Sequence, residues 1–246
     1  MGAAAAALAG ELGAQVTVLD LRPPAGRSVR FIQTDLGDGA AIDAALAAIG
    51  GPIDALLNCQ GISGATPGTP ADLVMRVNFL GARHLAEGAM ALMPKGGAVV
   101  SIASTGGLGW PRRLEAINEL LDRPDFDAGR EWVAGQEELL SPTFPAAYSF
   151  SKQALIVWTM RRAVSAIAAG VRVNATSPGS TATSMAGDFP AEGVEFTNRP
   201  SGRSSTPLEQ AWPLLFLASP AASYVTGVNL VVDGGHSAAR TLGLLT

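Results

Sequence analysis

Residues 146–179, AAYSFSKQALIVWTMRRAVSAIAAGVRVNATSPG, decide the fold. They read as a helix beginning near Ala146, then a buried strand from Val171 to Ala175, then a break at Pro178-Gly179. In the helix, Tyr148 and Lys152 stand four residues apart, so both side chains leave one face and can meet over one ligand. Upstream, Val99 to Ala103 reads as another buried strand, and Ser104 lies just past its end. Strand, helix and strand in that order are the unit of a parallel sheet covered by helices.

The alternation continues in both directions. Towards the N-terminus, an Ala- and Leu-rich helix over residues 3–12 stops at Gly13, and strands follow at Val16 to Leu19 and Val29 to Ile32. A helix from Ala40 to Ile49, a strand from Ile53 to Leu57 and a long helical stretch to Met93 come next, the last predicted to start with Thr69 as cap and Pro70 at its first position. Towards the C-terminus, Thr206, Pro207 and Glu209 predict a capping box for a helix through Leu217, and Val228 to Val232 is the last strand. The expected fold class is α/β, a doubly wound parallel sheet with helices on both faces.

With 246 residues and 48% hydrophobic content, the chain is expected to form one domain over residues 1–246. Two stretches interrupt its rhythm. Residues 105–147 far exceed a usual βα connection of ~2–6 residues. Leu114, Ile117 and Leu121 share a helical face there, and Trp132, Val133, Leu139 and Leu140 suggest a second amphipathic helix, so the stretch reads as a helical insert. Residues 180–205, rich in Gly, Ser, Thr and Pro, have the composition of a lid.

Composition limits the function. A net charge of −4 without Lys/Arg clusters argues against nucleic acid, whose binding rests on neutralising many phosphates. A small molecule is the expected partner. No apolar run approaches the ~20 residues of a membrane helix, and Met1 to Ala7 lacks the basic region of a secretory leader. Cys59 is the single cysteine, which precludes an intrachain disulfide and fits a buried small hydrophobe. The expectation is a cytoplasmic protein away from membranes. His84 and His236 have no second donor or partner carboxylate in sequence view, so both read as structural and no metal site is expected.

Candidate chemistry gathers at strand ends. Open α/β sheets bind ligands at the carboxyl edge, where the Ser104 hydroxyl can hold a substrate oxygen. Asn58-Cys59-Gln60-Gly61 follows a second strand end and Pro178-Gly179 a third. Asn78 lies inside a helix, where its low propensity calls for a hydrogen-bonding role or exposure. Tyr-x-x-x-Lys alone is a weak mark, and its convergence with these residues gives it weight.

In combination and order these residues resemble the short-chain dehydrogenase/reductase family. The resemblance runs from Gly2 to Gly235 and includes Asp20, Asp35-Leu36, Asn58-x-x-Gly61, Asn78, Ser104, Tyr148-x-x-x-Lys152, Pro178-Gly179 with Thr183, and Asp233-Gly234-Gly235. The long insert with Trp110-Pro111 is similar to the branch containing coniferyl-alcohol dehydrogenases and bacterial 3α-hydroxysteroid dehydrogenases. The resemblance implies a Rossmann-like fold and hydride exchange between an alcohol or ketone and NAD. Tyr148 would be the general acid/base and Ser104 the holder of the substrate oxygen. Lys152 would bind the nicotinamide ribose and lower the tyrosine pKa, and Asn78 would hold a water leading to Lys152. Gly2, Asp20, Asp35, Leu36, Asn58, Gly61, Pro178, Gly179, Thr181 and Thr183 would contact cofactor, together with Tyr148 and Lys152. A carboxylate at Asp20 favours NAD over NADP, a preference that nearby Arg22 moderates. Trp110 and Trp132 either line an aromatic pocket or pack the insert.

The chain departs from the family at two places. Members begin with a strand and Thr-Gly-x-x-x-Gly-x-Gly, of which Met1-Gly2 matches only the last step. The first strand is therefore expected to be missing between those of residues 16–20 and 53–58, with the natural start upstream. Gln60 stands where the family has alanine. The loop difference keeps a rival reading open, a non-catalytic dinucleotide-fold binding protein. An insert entering just before Tyr148 is expected to block the helix pair through which members commonly pair, leaving a homodimer through another surface.

Overall fold

In the computed structural model, which describes residues 1–24, 29–140 and 145–245, parallel strands alternate with helices. Helix α1 (Gly2–Glu11) has no side-chain cap and is held by its buried Ala5 and Leu8. Strand β1 (Thr17–Asp20) pairs in parallel with β2 (Arg30–Gln33), from Thr17 opposite Arg30 to Asp20 opposite Gln33. Helix α2 (Gly39–Ile49) starts where the Asp38 carboxylate accepts from Ala41 N at 3.0 Å and stops at Gly50, whose φ of 64° is the left-handed turn that glycine permits. Strand β3 (Ala55–Asn58) leads to a helical run made of α3 (Ala71–Met75), a π turn (Arg76–Leu80) and α4 (Gly81–Met90).

Strand β4 (Ala98–Ile102) precedes the insert, which contains α5 (Leu114–Leu121), α6 (Phe126–Ala134) and α7 (Glu137–Leu140). Helix α8 (Ala146–Ala166) and β5 (Arg172–Pro178) follow, then α9 (Ala191–Asn198), α10 (Pro207–Ala218), β6 (Asn229–Val232) and α11 (His236–Thr241). The capping box predicted for α10 is present, Thr206 and Glu209 each bonding the other's backbone. Arg172 ties α10 to β5, its guanidinium donating to the terminal carbonyls of Leu217, Ala218 and Ser219.

The strands form two sheets, β1-β2 and β3-β4-β5-β6, and every pairing is parallel. Among the described residues no pairing joins β1 to β3, where the sequence reading expects a strand to be missing. Burial follows from the split: β4 and β5 are buried at every position, whereas of β1, β2 and β3 only Asn58 is. Helices bridge the two pieces. Leu19 from β1 and Leu56 from β3 pack into one cluster with Ile42, Leu46, Leu85 and Ala89 of α2 and α4. At the same junction α4 approaches the loop after β2 so closely that a Cβ on Gly81 would stand 1.8 Å from Leu36 O.

Several expectations are corrected in detail. Pro70 is the cap residue rather than the first helical residue, and Thr69 provides no side-chain cap because its backbone closes the preceding turn onto Thr66 O at 3.0 Å. The stretch expected as one helix to Met93 is widened by the π turn and ends at Met90. The lid folds locally into a 3-10 turn (Ser184–Asp188) and α9. In the insert Ile117 and Leu121 are buried as expected but Leu114 is exposed, with Leu120 buried instead. Residues 141–144 of the expected insert lie outside the described residues.

The insert lies along α8 and the α3–α4 run. Ile117 and Leu120 are fully buried in the main core, Trp132 stacks on Phe150 of α8 at 5.9 Å, and Gly129 admits the side chain of Leu80. His84 of α4 meets Asp43 of α2 at 2.7 Å and Phe126 of α6 edge-on, so it has the partner carboxylate that the sequence did not reveal. Both groups lie on helices outside the cleft lining, in a structural arrangement.

Candidate active site

Beyond β4 the backbone stays extended through Ser104, whose Oγ accepts from Gly106 N at 3.1 Å and starts a 3-10 turn. This brings the hydroxyl to the same cleft edge as Tyr148, on the first turn of α8. Burial pushes the Tyr148 phenol above its ordinary 10.0, and the Ser104 hydroxyl offsets part of that rise. Lys152 stands one turn along, with Nζ 5.9 Å from the Tyr148 ring centroid and donating to Ile102 O at 2.8 Å. Desolvation pulls its pKa down to about 8, with Cys59 acting in the opposite sense. The Cys59 thiol is pushed up to about 11 by burial, against the N-terminus and Lys152, so it stays protonated and unreactive at neutral pH.

Asn78 occupies the π turn and is fully buried. Its Oδ1 accepts from Ile62 N at 2.8 Å, while Nδ2 donates to Ile62 O at 2.9 Å and Ser151 Oγ at 3.1 Å. Ser151 Oγ donates in turn to Tyr148 O at 2.7 Å. A continuous set of bonds therefore runs from the loop after β3 through Asn78 to the backbone of Tyr148. The sequence reading missed Ser151, whose one signal is its place three residues after Tyr148 on the same helix. Gly61 lies between these groups, where a Cβ would be in ordinary contact at 3.5 Å from both Asn78 Oδ1 and Lys152 Nζ.

These groups border a cleft of about 320 Å³. Of the residues singled out from sequence, Gly61, Ser104, Tyr148, Lys152, Pro178, Gly179, Thr181 and Thr183 line it. Gly179 is packed so tightly that a Cβ would meet that of Asp233 at 2.8 Å. Asn78 lies behind the wall. Asn58 is buried there too, donating to Ala82 O and Ser101 Oγ and so tying β3 to α4 and β4. Gly2 starts α1 against Cys59, and its neighbour Met1 reaches the lining. Asp20, Asp35 and Leu36 belong to the β1-β2 piece and do not line the cleft. Asp20 accepts from Arg22 N, Asp35 accepts from Gly37 N, and Leu36 packs against α2.

The opposite wall comes from the lid and the start of α8, with Pro145, Ser149, Met185, Phe189 and Val194. Phe189 stands edge-on to Tyr148, ring centroids 5.4 Å apart. Trp110 and Trp132 take no part in the lining; both pack in the main core, and Trp132 Nε1 donates to Glu119. Gln60 does line the cleft, and its buried Nε2 has no hydrogen-bond partner. His236 is buried against Phe196 of α9. Among the described residues no three His, Cys, Asp or Glu side chains gather to hold a metal, and no helix is long and apolar enough to cross a membrane.

Known proteins share this architecture. The short chain dehydrogenase family model matches residues 1–113, and a model described as enoyl-(acyl carrier protein) reductase matches residues 136–237. A coniferyl-alcohol dehydrogenase of Pseudomonas sp. is 31% identical over 96% of this chain and 91% of its own length. A 3-alpha-hydroxysteroid dehydrogenase/carbonyl reductase of Comamonas testosteroni is 31% identical over 97% of this chain and 93% of its own. The crystal structure of a 3-alpha-hydroxysteroid dehydrogenase from Pseudomonas sp., complexed with NADH, superposes with a TM-score of 0.79 at 29% identity, covering 98% of this chain and 94% of that one.

Proposed function

The chain belongs to the short-chain dehydrogenase/reductase family of oxidoreductases, and from that premise we propose that it moves a hydride between NAD(H) and an alcohol or ketone of the aromatic-alcohol or hydroxysteroid type, with Tyr148 as general acid/base. The observation that carries this reading is the meeting of Ser104 and a buried Tyr148 in the lining of one cleft, with Lys152 one helical turn away.

The residues present fit a nicotinamide dinucleotide. Gly179, where a Cβ would meet Asp233 at 2.8 Å, lets bare backbone border the cleft, and the orphaned Gln60 Nε2 supplies a donor in its wall. Pro178, Gly179, Thr181, Thr183 and Lys152 would hold the nicotinamide end, and Asp20, exposed at the end of β1, would select against a 2′-phosphate. When bound, the nicotinamide accepts or supplies the hydride.

In the oxidative direction the Ser104 hydroxyl holds the substrate oxygen while the Tyr148 oxygen takes the alcohol proton. In the reductive direction the phenol returns that proton. Burial raises the phenol pKa and so favours its protonated form, the one that donates to a ketone oxygen. The Asn78–Ser151–Tyr148 bonds keep the phenol's helix turn in place. Assembly as a homodimer is part of the same proposal. The insert occupies the α8 side of the molecule, while Leu208, Trp212 and Phe216, spaced four apart on α10, present an exposed apolar stripe.

NADH formation with aryl alcohols and hydroxysteroids tests the activity. Tyr148→Phe is expected to lower kcat by roughly 10²–10⁴-fold while calorimetry shows NAD binding retained. Unchanged turnover in that variant would overturn the mechanism, and a wild type that binds no NAD would favour the non-catalytic binding protein.

A further inference from the structure

A bond between two segments far apart in sequence holds the lid. Ser63 Oγ, in the loop after β3, donates to Asp188 Oδ2 at 2.5 Å, and the same Oγ accepts from Ala65 N at 3.2 Å. Ser63 is 5% exposed, and Gly64 beside it has φ +78° and no room for a Cβ, which would stand 2.8 Å from Val74 Cγ2. The acceptor's partner is thus on a rigid mount. Asp188 ends the 3-10 turn of the lid, and the next residue is Phe189. The two ends of the lid are also joined, by the bridge of Thr181 with Ser205 and by bonds of Ser205 to Ser180 O and Thr181 Oγ1. The segment is therefore fixed at its base, and the Ser63 bond fixes its tip across the cleft.

We propose that the Ser63–Asp188 bond is a clasp that sets substrate selectivity: by fixing Phe189 against Tyr148 it reserves the site for flat, uncharged alcohols and ketones. The inference rests on the alcohol-oxidoreductase reading above. A ring seated at Tyr148 meets the Phe189 ring and the apolar side chains of Met185 and Val194. Among the described residues lining the cleft, Lys152 carries the one charged side chain, and it is bonded to Ile102 O. A carboxylate on the substrate would find no second cationic side chain in that lining. Ser63 and Asp188 touch no reacting atom, so they are positioning residues.

Steady-state kinetics with a neutral aryl alcohol and its ring-carboxylated analogue tests the clasp, with amide hydrogen exchange across residues 184–198 alongside. Ser63→Ala and Asp188→Ala are each expected to raise KM for the neutral alcohol about tenfold with kcat within about twofold, the size of one charge-assisted bond. Asp188→Asn keeps an oxygen to accept from Ser63, and it restores KM to within about threefold of wild type. Lid amides exchange faster in the two alanine variants and not in Asp188→Asn. Wild-type kcat/KM for the carboxylated analogue falls at least tenfold, on the order of one unpaired charge. Unaltered KM in both alanine variants, or equal use of both alcohols by the wild type, overturns the inference while leaving the activity standing. A wild type that turns over no alcohol overturns the underlying reading and this inference with it.

Discussion

Burial of Lys152 places opposite demands on activity and on stability. Its folded pKa of about 8 lies below the ordinary 10.5, so the folded protein holds this proton less tightly than the unfolded chain. The cost of burying the charge is full below pH 8 and gone above 10.5. Urea melts should therefore show the stability of the wild type, relative to Lys152→Met, flat below pH 8 and climbing from 8 to 10.5. At the neighbouring phenol, Ser104→Ala removes the hydroxyl whose influence counters desolvation, so the residual activity in the alcohol-to-ketone direction should move to higher pH in a pH–rate profile. That Tyr148, Lys152 and Ser104 share one edge of the sheet was legible from helical spacing and a strand end, while the roles proposed for them came from the family resemblance. Ser151 was not legible. Its partners depend on a π turn at Asn78, a local widening of the helix that has no residue signature, and on two helices meeting there.

Between elements, α4 packs tightly against the loop after β2. A methyl on Gly81 would overlap Leu36 O at 1.8 Å, and backbone on both sides leaves no flexible atom to yield. Gly81→Ala should cost about 3 kcal/mol or more in thermal or urea melts, at the upper end for overpacking. Gly10→Ala is the control, in α1 with nothing within 4 Å, and should be neutral or stabilising by up to ~1 kcal/mol. Strands and long helices were readable from hydrophobic period alone, most to within two residues. Helix α9 was not, because Pro190, Gly193 and Thr197 give it a loop's composition, while its formation follows from Pro190 as cap residue and docking of Phe196 on His236.

For the whole molecule, light scattering should report a mass of two chains, and Trp212→Glu, which puts a charge in the middle of the α10 stripe, should shift it towards one. A mass of four chains, or a dimer indifferent to that substitution, would place the interface elsewhere. The α/β class was foreseeable from the order of strands and helices, and the break in the sheet from the family resemblance. What order cannot supply is how the pieces are rejoined, because contacts such as Leu19 and Leu56 against α2 and α4 depend on side chains distant in sequence. A sheet divided into pairs of two and four strands has no ladder to share strain across the divide. The β1-β2 unit, whose strands are nowhere fully buried, should behave as a foldon of its own, opening below the threshold for global denaturation. It carries Asp20, the residue proposed to select between nicotinamide cofactors, so local opening of this unit should weaken that selection without unfolding the cleft, to which Asp20 does not belong.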